Sequence, residues 1–289
     1  MMEKTEFHQR SMLAETWKRL KKNKGAMIGL VIVVILFVLA IFAGVIFDYD
    51  TDVIGQNYNE LLQEPSLKHP FGTDECGRDL LARIIYGSRA SLFISFAAVC
   101  LAALIGCFFG AISGYFGGKV DSVIMRLTDI LLAIPETLFA ITLVAAFGTN
   151  TFTLIIALAI SNIPIYCRLL RSSVMTQRGS EHVEAAKAIG AKTSTIIIDH
   201  ILPNCLAPVL VQFTLSVATT ILTISGLSFL GLGVSAPMPE WGALLSSSRS
   251  YMREHTYLTI FPGLAIMTTI LSLNLLGDGL RDALDPRLR

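Results

Sequence analysis

Residues 181–203 read EHVEAAKAIGAKTSTIIIDHILP, a polar, partly amphipathic segment between two hydrophobic runs that are each long enough to cross a bilayer. Glu184-Ala185-Ala186 favours a short helix, and Gly190 falls where a left-handed residue ends one. Thr193 or Ser194 is placed to cap a second short helix, with His200 following and Pro203 closing it before the next apolar run. The pattern predicts a helix-turn-helix at the membrane surface. Small residues on one face allow a partner's backbone to come close, and a short rigid helix transmits a push better than a loop.

The rest of the chain fits a membrane setting. Hydrophobic residues make up 53% of the 289 and charged residues only 16%, a balance that points to an all-α polytopic membrane protein and away from a soluble domain. A formal net charge of +1 gives no reason to expect nucleic-acid binding. The five cysteines form no C-x-x-C pair. His8, His69, His182, His200 and His255 lie in polar segments without metal-ligand spacing, so no metal site is expected. Around Lys119 the string GYFGGKV (114–120) has glycines, but its spacing fails for a phosphate loop and no Ser or Thr follows the lysine. No ATP site, cofactor or catalytic residue is therefore expected in this chain.

Six spans are predicted. A basic tail (1–25) precedes an uncharged run taken as the first transmembrane helix (26–47), read as retained rather than cleaved. A mixed-charge segment with Pro65 and Pro70 (48–89) is too polar to span. A five-helix core (90–280) follows, with its loop at 172–203, and 281–289 form the tail. In the second helix Gly106, Gly110 and Gly114 recur at every fourth residue and predict a flat seam for another helix. The third helix is expected to run from about 121 to 147, with Arg126 and Asp129 near one end and Pro135-Glu136 two turns deeper. Glu136 is the one acid expected within the hydrocarbon, which suggests a water-lined path, or else a side chain that faces a cytoplasmic vestibule or pairs with a backbone donor. The fourth helix (151–167) is expected to break at Asn162 and Pro164. The run 201–239 is uncharged and rich in hydroxyls, among them Thr219 and Thr223, which line a path or bond to their own helix backbone. The sixth helix is placed at about 256–277.

Three motifs carry a family resemblance. The E-A-A-x-x-x-G pattern of Glu184, Ala185, Ala186 and Gly190 resembles the loop by which ABC importer permeases dock into a cytoplasmic ATPase. Gly72-Thr73-Asp74, then Gly77-Arg78-Asp79 and Arg83, Gly87, Arg89 and Ser91, resembles the signature of the dipeptide, oligopeptide and nickel permeases. Pro237-Met238-Pro239-Glu240-Trp241-Gly242 and the ending 273–287 are similar to the same family. Trp241 suits an interfacial position. The resemblance implies a type I ABC importer permease fold in a bacterial inner membrane. It implies these partners: a homologous second permease, two ATPase subunits that bind ATP and Mg, an extracytoplasmic solute-binding protein, and membrane lipid. It also implies that Glu184 to Gly190, with His200 and Pro203, form the ATPase joint, and that the other signatures are structural.

Charge placement tests the topology. Of the 23 lysines and arginines, 17 fall in the tails and the loops assigned to the inner side, as the positive-inside rule requires. That side holds both termini and the 181–203 loop. A secondary transporter using Glu136 or Asp129 as an ion site is the alternative, but inverted repeats and paired broken helices are not evident. An intramembrane enzyme lacks any nucleophile motif.

Overall fold

The computed structural model describes residues 12–284; the first eleven residues, with His8, and the motif residues Asp285, Pro286 and Arg287 lie outside it. Helices account for every regular element among the described residues. In chain order they are α1 (Met12–Leu20), α2 (Lys24–Ile46), α3 (Leu80–Phe116), α4 (Gly118–Leu132), α5 (Glu136–Phe147), α6 (Thr151–Arg178), α7 (Glu181–Ala188), α8 (Thr193–Thr195), α9 (Leu202–Phe229), α10 (Trp241–Ser247) and α11 (Tyr257–Leu284). Among the described residues five helices are long and apolar enough to cross a membrane, and α4 with α5 make a sixth span if a pair bent by 81° is taken as one.

The α3–α6 seam sets the centre of the bundle. A Cβ built on Gly106, Gly110 or Gly114 would lie 2.6, 2.5 or 2.7 Å from the carbonyl oxygens of Ile163, Cys167 and Arg171 respectively. The pairing advances by one turn on both helices at each step, so α3 and α6 run parallel with backbones in contact. Only glycine permits that approach, which suits Cα–H donation to the facing carbonyls. On the other side of the bundle α2 and α11 cross antiparallel at Gly29, beside the Ser272 carbonyl, and at Gly279, beside Ala26. Leu20, Ala26, Leu276 and Ala283 close a small apolar cluster there.

These pairings sort the helix ends. The start of α2, the ends of α3, α6 and α11, and the start of α9 share one end of the bundle with α7. Residues 48–79, the starts of α3, α6 and α11, and α10 share the far end.

Several boundaries differ from the sequence reading. α3 begins at Leu80, ten residues before the predicted core, because Asp79 caps it: its Oδ1 accepts from the Ala82 N–H at 2.9 Å. The charge at Arg83 sits inside the first turns, buried against Asp74. The predicted continuous third helix is broken at 133–135, where Pro135 excludes helical geometry from the residue before it. The predicted break in the fourth helix is absent: α6 runs through Pro164 to Arg178, its backbone clamped along 163–174 by the α3 glycines. The second short helix of the loop is also not separate. Its N-cap is Lys192, with no side-chain cap from Thr193 or Ser194, and it passes through a π-turn (Ile196–Ile201) directly into α9. The wider turn, in which the Leu202 N–H reaches the Ile197 carbonyl, carries the Asp199 carbonyl away from the Pro203 ring. Pro203 therefore starts α9 instead of closing the loop.

Candidate functional site

Helix α7 is a single capped element at one end of the bundle. Glu181 and Glu184 in its first turn and Lys187 in its last both complement the helix dipole. Its C-terminus is a Schellman turn: the Gly190 N–H bonds to the Lys187 carbonyl at 3.0 Å and the Ala191 N–H to the Ala186 carbonyl at 3.1 Å. Gly190 has φ +80°, and no atom lies within 4 Å of where its Cβ would be, so the turn demands glycine for conformation and not for space.

One face of α7 is fixed and the other is open. Val183 and Ala186 are buried with Ile196 and Ile201 of the π-turn and Val174 of α6 in the main apolar core. Glu184, Ala185 and Ala188 are exposed, and Ile189 is 85% exposed. Of the residues expected to meet a partner, Glu184, Ala185 and Gly190 are on the open face, whereas Ala186 points into the chain's own core. The His182 ring Nε2 meets the His200 carbonyl at 3.3 Å, and the Asn204 amide donates to the same carbonyl at 2.9 Å, so this backbone ties α7 to the start of α9. A displacement of α7 thus bears on α6 and α9 through packed side chains.

At the far end the signature residues lock the polar segment 48–79 onto the bundle. Asp74 is 3% exposed; it takes a hydrogen bond from the Arg78 Nε at 2.7 Å, lies 3.4 Å from the Arg83 guanidinium, and accepts from the Cys76 and Arg78 N–H groups. Asp79, instead of joining the arginines, caps α3 and bonds the His69 ring at 2.7 Å. The Lys68 ammonium holds the Glu60 carboxyl below its ordinary range. Gly72 (φ +80°) and Gly77 (φ +73°) turn the chain where a Cβ would strike the Gln63 and Asn57 carbonyls. Tyr257 donates to the Thr73 carbonyl at 2.9 Å, and Phe71 stacks on Phe261.

Pro239, Glu240, Trp241 and Gly242 dock against α3 and α9. Trp241 is fully buried within the protein, and its indole N–H donates to the Ile84 carbonyl at 2.9 Å. Glu240 is equally buried, so Glu136 is not the only sequestered acid; it accepts from the Ser91 hydroxyl at 2.9 Å and caps α10 through the Ala243 N–H at 3.0 Å. A Cβ on Gly242 would lie 2.4 Å from the Ser225 carbonyl. Trp241→Phe should remove the indole's bond to the Ile84 carbonyl, which keeps its partner within α3, and lower stability by about 0.5–1.5 kcal/mol. Asp74→Asn should cost more, about 3 kcal/mol, through the buried arginines it leaves half-paired. Thermal unfolding of the detergent-purified complex measures both, and neither change should alter the order of substrate preference.

The candidate pathway residues divide. Glu136, half-buried at the first turn of α5, accepts from the Asn162 amide at 3.2 Å, and Asn162 also donates to its own Leu158 carbonyl. Thr219 and Thr223 bond to α9 carbonyls, the self-satisfied reading of the hydroxyl run. Asp129 pairs with Arg168. Pairings the sequence reading did not pick out also tie the elements: Arg171 bonds Asp121 at 2.6 Å between α6 and α4, and Ser91 and Tyr257 bridge distant segments. Their signal was present only as lone polar residues inside apolar runs.

Comparison with known proteins places this geometry. Residues 106–289 match the family of binding-protein-dependent transport system inner membrane components, and 11–65 match the N-terminal transmembrane domain of oligopeptide transport permease C. The chain belongs to this family of importer permeases. It is 47% identical over 275 residues to the dipeptide transport system permease DppC of Alkalihalophilus pseudofirmus, covering 95% of this chain and 90% of that one. The glutathione transport system permease GsiD of Escherichia coli is 42% identical over the same share of each. Among solved structures, an inward-facing MetNI methionine ABC transporter aligns with a TM-score of 0.58 at 15% identity, over 70% of this chain and 96% of that one. An amino acid ABC transporter with histidines gives 0.54, over 70% and 94%. These structures share the permease fold, and the relatives place the chain with the dipeptide and oligopeptide ABC importer permeases, multi-pass proteins of the inner membrane.

Proposed function

We propose that this permease forms half of the translocation path of an ATP-driven importer for di- and oligopeptides, with a homologous second permease, two cytoplasmic ATPase subunits and an extracytoplasmic solute-binding protein. The α7 end, with both tails, faces the cytoplasm, as the lysine and arginine distribution supports. Closure of the ATPase pair on ATP pushes α7; the packed Val183, Ala186, Ile196 and Ile201 carry that push into α6 and α9, and the bundle opens outward to the loaded binding protein. Hydrolysis resets it. ATP and Mg belong to the ATPases, and this chain contributes no catalytic group.

The observation that carries this reading is α7 itself, a helix held on one face by its own core and left open on the other through Glu184, Ala185 and Ile189. The peptide substrate rests on the dipeptide and glutathione relatives. Uptake of a labelled dipeptide into vesicles carrying the full complex tests it. Uptake should require internal ATP and the binding protein and persist when the proton gradient is collapsed. Uptake that survives ATP depletion and fails with the gradient would establish ion coupling instead, through Glu136 or Asp129.

A further inference from the structure

Arg89 stands apart from the two signature arginines that precede it, Arg78 and Arg83. Arg78 and Arg83 are paired with carboxylates, whereas among the described residues no carboxylate pairs with Arg89. Its side chain is exposed, lies 5.1 Å from the Tyr86 ring centroid, and reaches to within 3.3 Å of the Cβ position of Gly44 in the last turn of α2. Tyr86 in turn meets Tyr49, just past the end of α2, at 5.0 Å between centroids. A cation and two tyrosines at the terminus of one span and in the second and third turns of the next mark the height of the lipid headgroups.

Below the guanidinium the surface changes character. A groove of about 320 Å³ between α2 and α3 runs down from Arg89, lined by Phe37, Ala40, Ile41, Leu92, Phe93 and Phe96. From Gly44 to Phe37 it descends about 10 Å along the helix, most of a hydrocarbon half-thickness of about 15 Å. The exposed face of α2 beside it, including Ile28, Val31, Val34, Ile35, Val38 and Val45, offers no polar group to a protein partner.

We propose that this groove holds one phospholipid of the bilayer, an acyl chain along the α2–α3 cleft and the headgroup phosphodiester on Arg89. An unpaired guanidinium favours an anionic lipid over a zwitterionic one, whose own ammonium competes for the phosphate. The lipid fills a cleft that the protein leaves open between its first span and its core. This site depends only on membrane insertion, so it stands or falls separately from the peptide-import reading.

The test is native mass spectrometry of the full importer complex released from vesicles of defined phosphatidylglycerol and phosphatidylethanolamine content. Wild-type complex should retain phosphatidylglycerol in preference to the zwitterionic lipid. Arg89→Gln should lower that retention about fivefold, and Arg89→Lys less. Ile41→Trp, a change at an exposed groove residue that fills the cleft and keeps the charge, should lower it as well. Retention unchanged in Arg89→Gln, equal retention of the two lipids by wild type, or a cross-link from position 89 to the second permease in place of lipid would overturn the proposal.

Discussion

Replacing Gly110 with leucine should reduce the folded chain recovered from membranes to about a tenth of wild type or less, since overpacking a tight contact costs 1–3 kcal/mol or more. Its Cβ alone would lie 2.5 Å from the Cys167 carbonyl and 3.2 Å from the Arg171 N, both backbone atoms of a helix that cannot rotate away locally. α6 must instead move off α3 as a unit. That separation strips the neighbouring contacts at Gly106 and Gly114 and pulls Arg171 from Asp121. The control is Gly226→Leu in α9, where nothing lies within 4 Å of the added carbon. There the loss of glycine should be neutral or gain up to about 1 kcal/mol of helix propensity. Fluorescence-detected size-exclusion of both variants measures the difference.

Glu184→Lys and Ala185→Trp should abolish uptake, by more than about tenfold, at normal membrane abundance. Both positions are on the open face of α7, so neither change disturbs the Val183–Ala186 core contacts. A lysine in the first turn opposes the helix dipole by only about 0.3–1 kcal/mol at an exposed site, too little to unfold the element. In the proposed docking of α7 onto an ATPase subunit, however, charge reversal or an indole at the contact should cost several kcal/mol. Gly190→Val acts differently: it strains the Schellman turn and should lower uptake with some loss of abundance. Uptake that stayed at the wild-type level in both open-face variants would remove α7 from the coupling path.

Much of this was legible in local spacing. Gly190 ends α7 as its place after Glu184-Ala185-Ala186 implied, and the fourfold period of Gly106, Gly110 and Gly114 announced a close helix contact before its partner was known. What stayed hidden depended on contacts between distant residues. Pro135 and Pro164 give the same signal in the sequence, yet one marks an 81° bend and the other lies in an unbroken helix. The difference is the neighbour: α6 is clamped by the α3 glycines, while Ala133, Ile134 and Pro135 itself are exposed. The burial of Trp241 against the Ile84 carbonyl, far away in the chain, left no local trace. The start of α3 was placed too late because Arg83 and Arg89 were counted with the mixed-charge segment 48–89, whereas Arg83, buried against Asp74, sits within the helix.

The central claim is that α7 receives force from a separate ATP-hydrolysing subunit. A photo-reactive residue at Ala185, in the complete importer in its native membrane, tests that claim most directly. Irradiation should join this chain to an ATPase subunit, with a yield that changes when ATP is bound. An adduct formed only with an extracytoplasmic protein, or none with the ATPase in either nucleotide state, would contradict it.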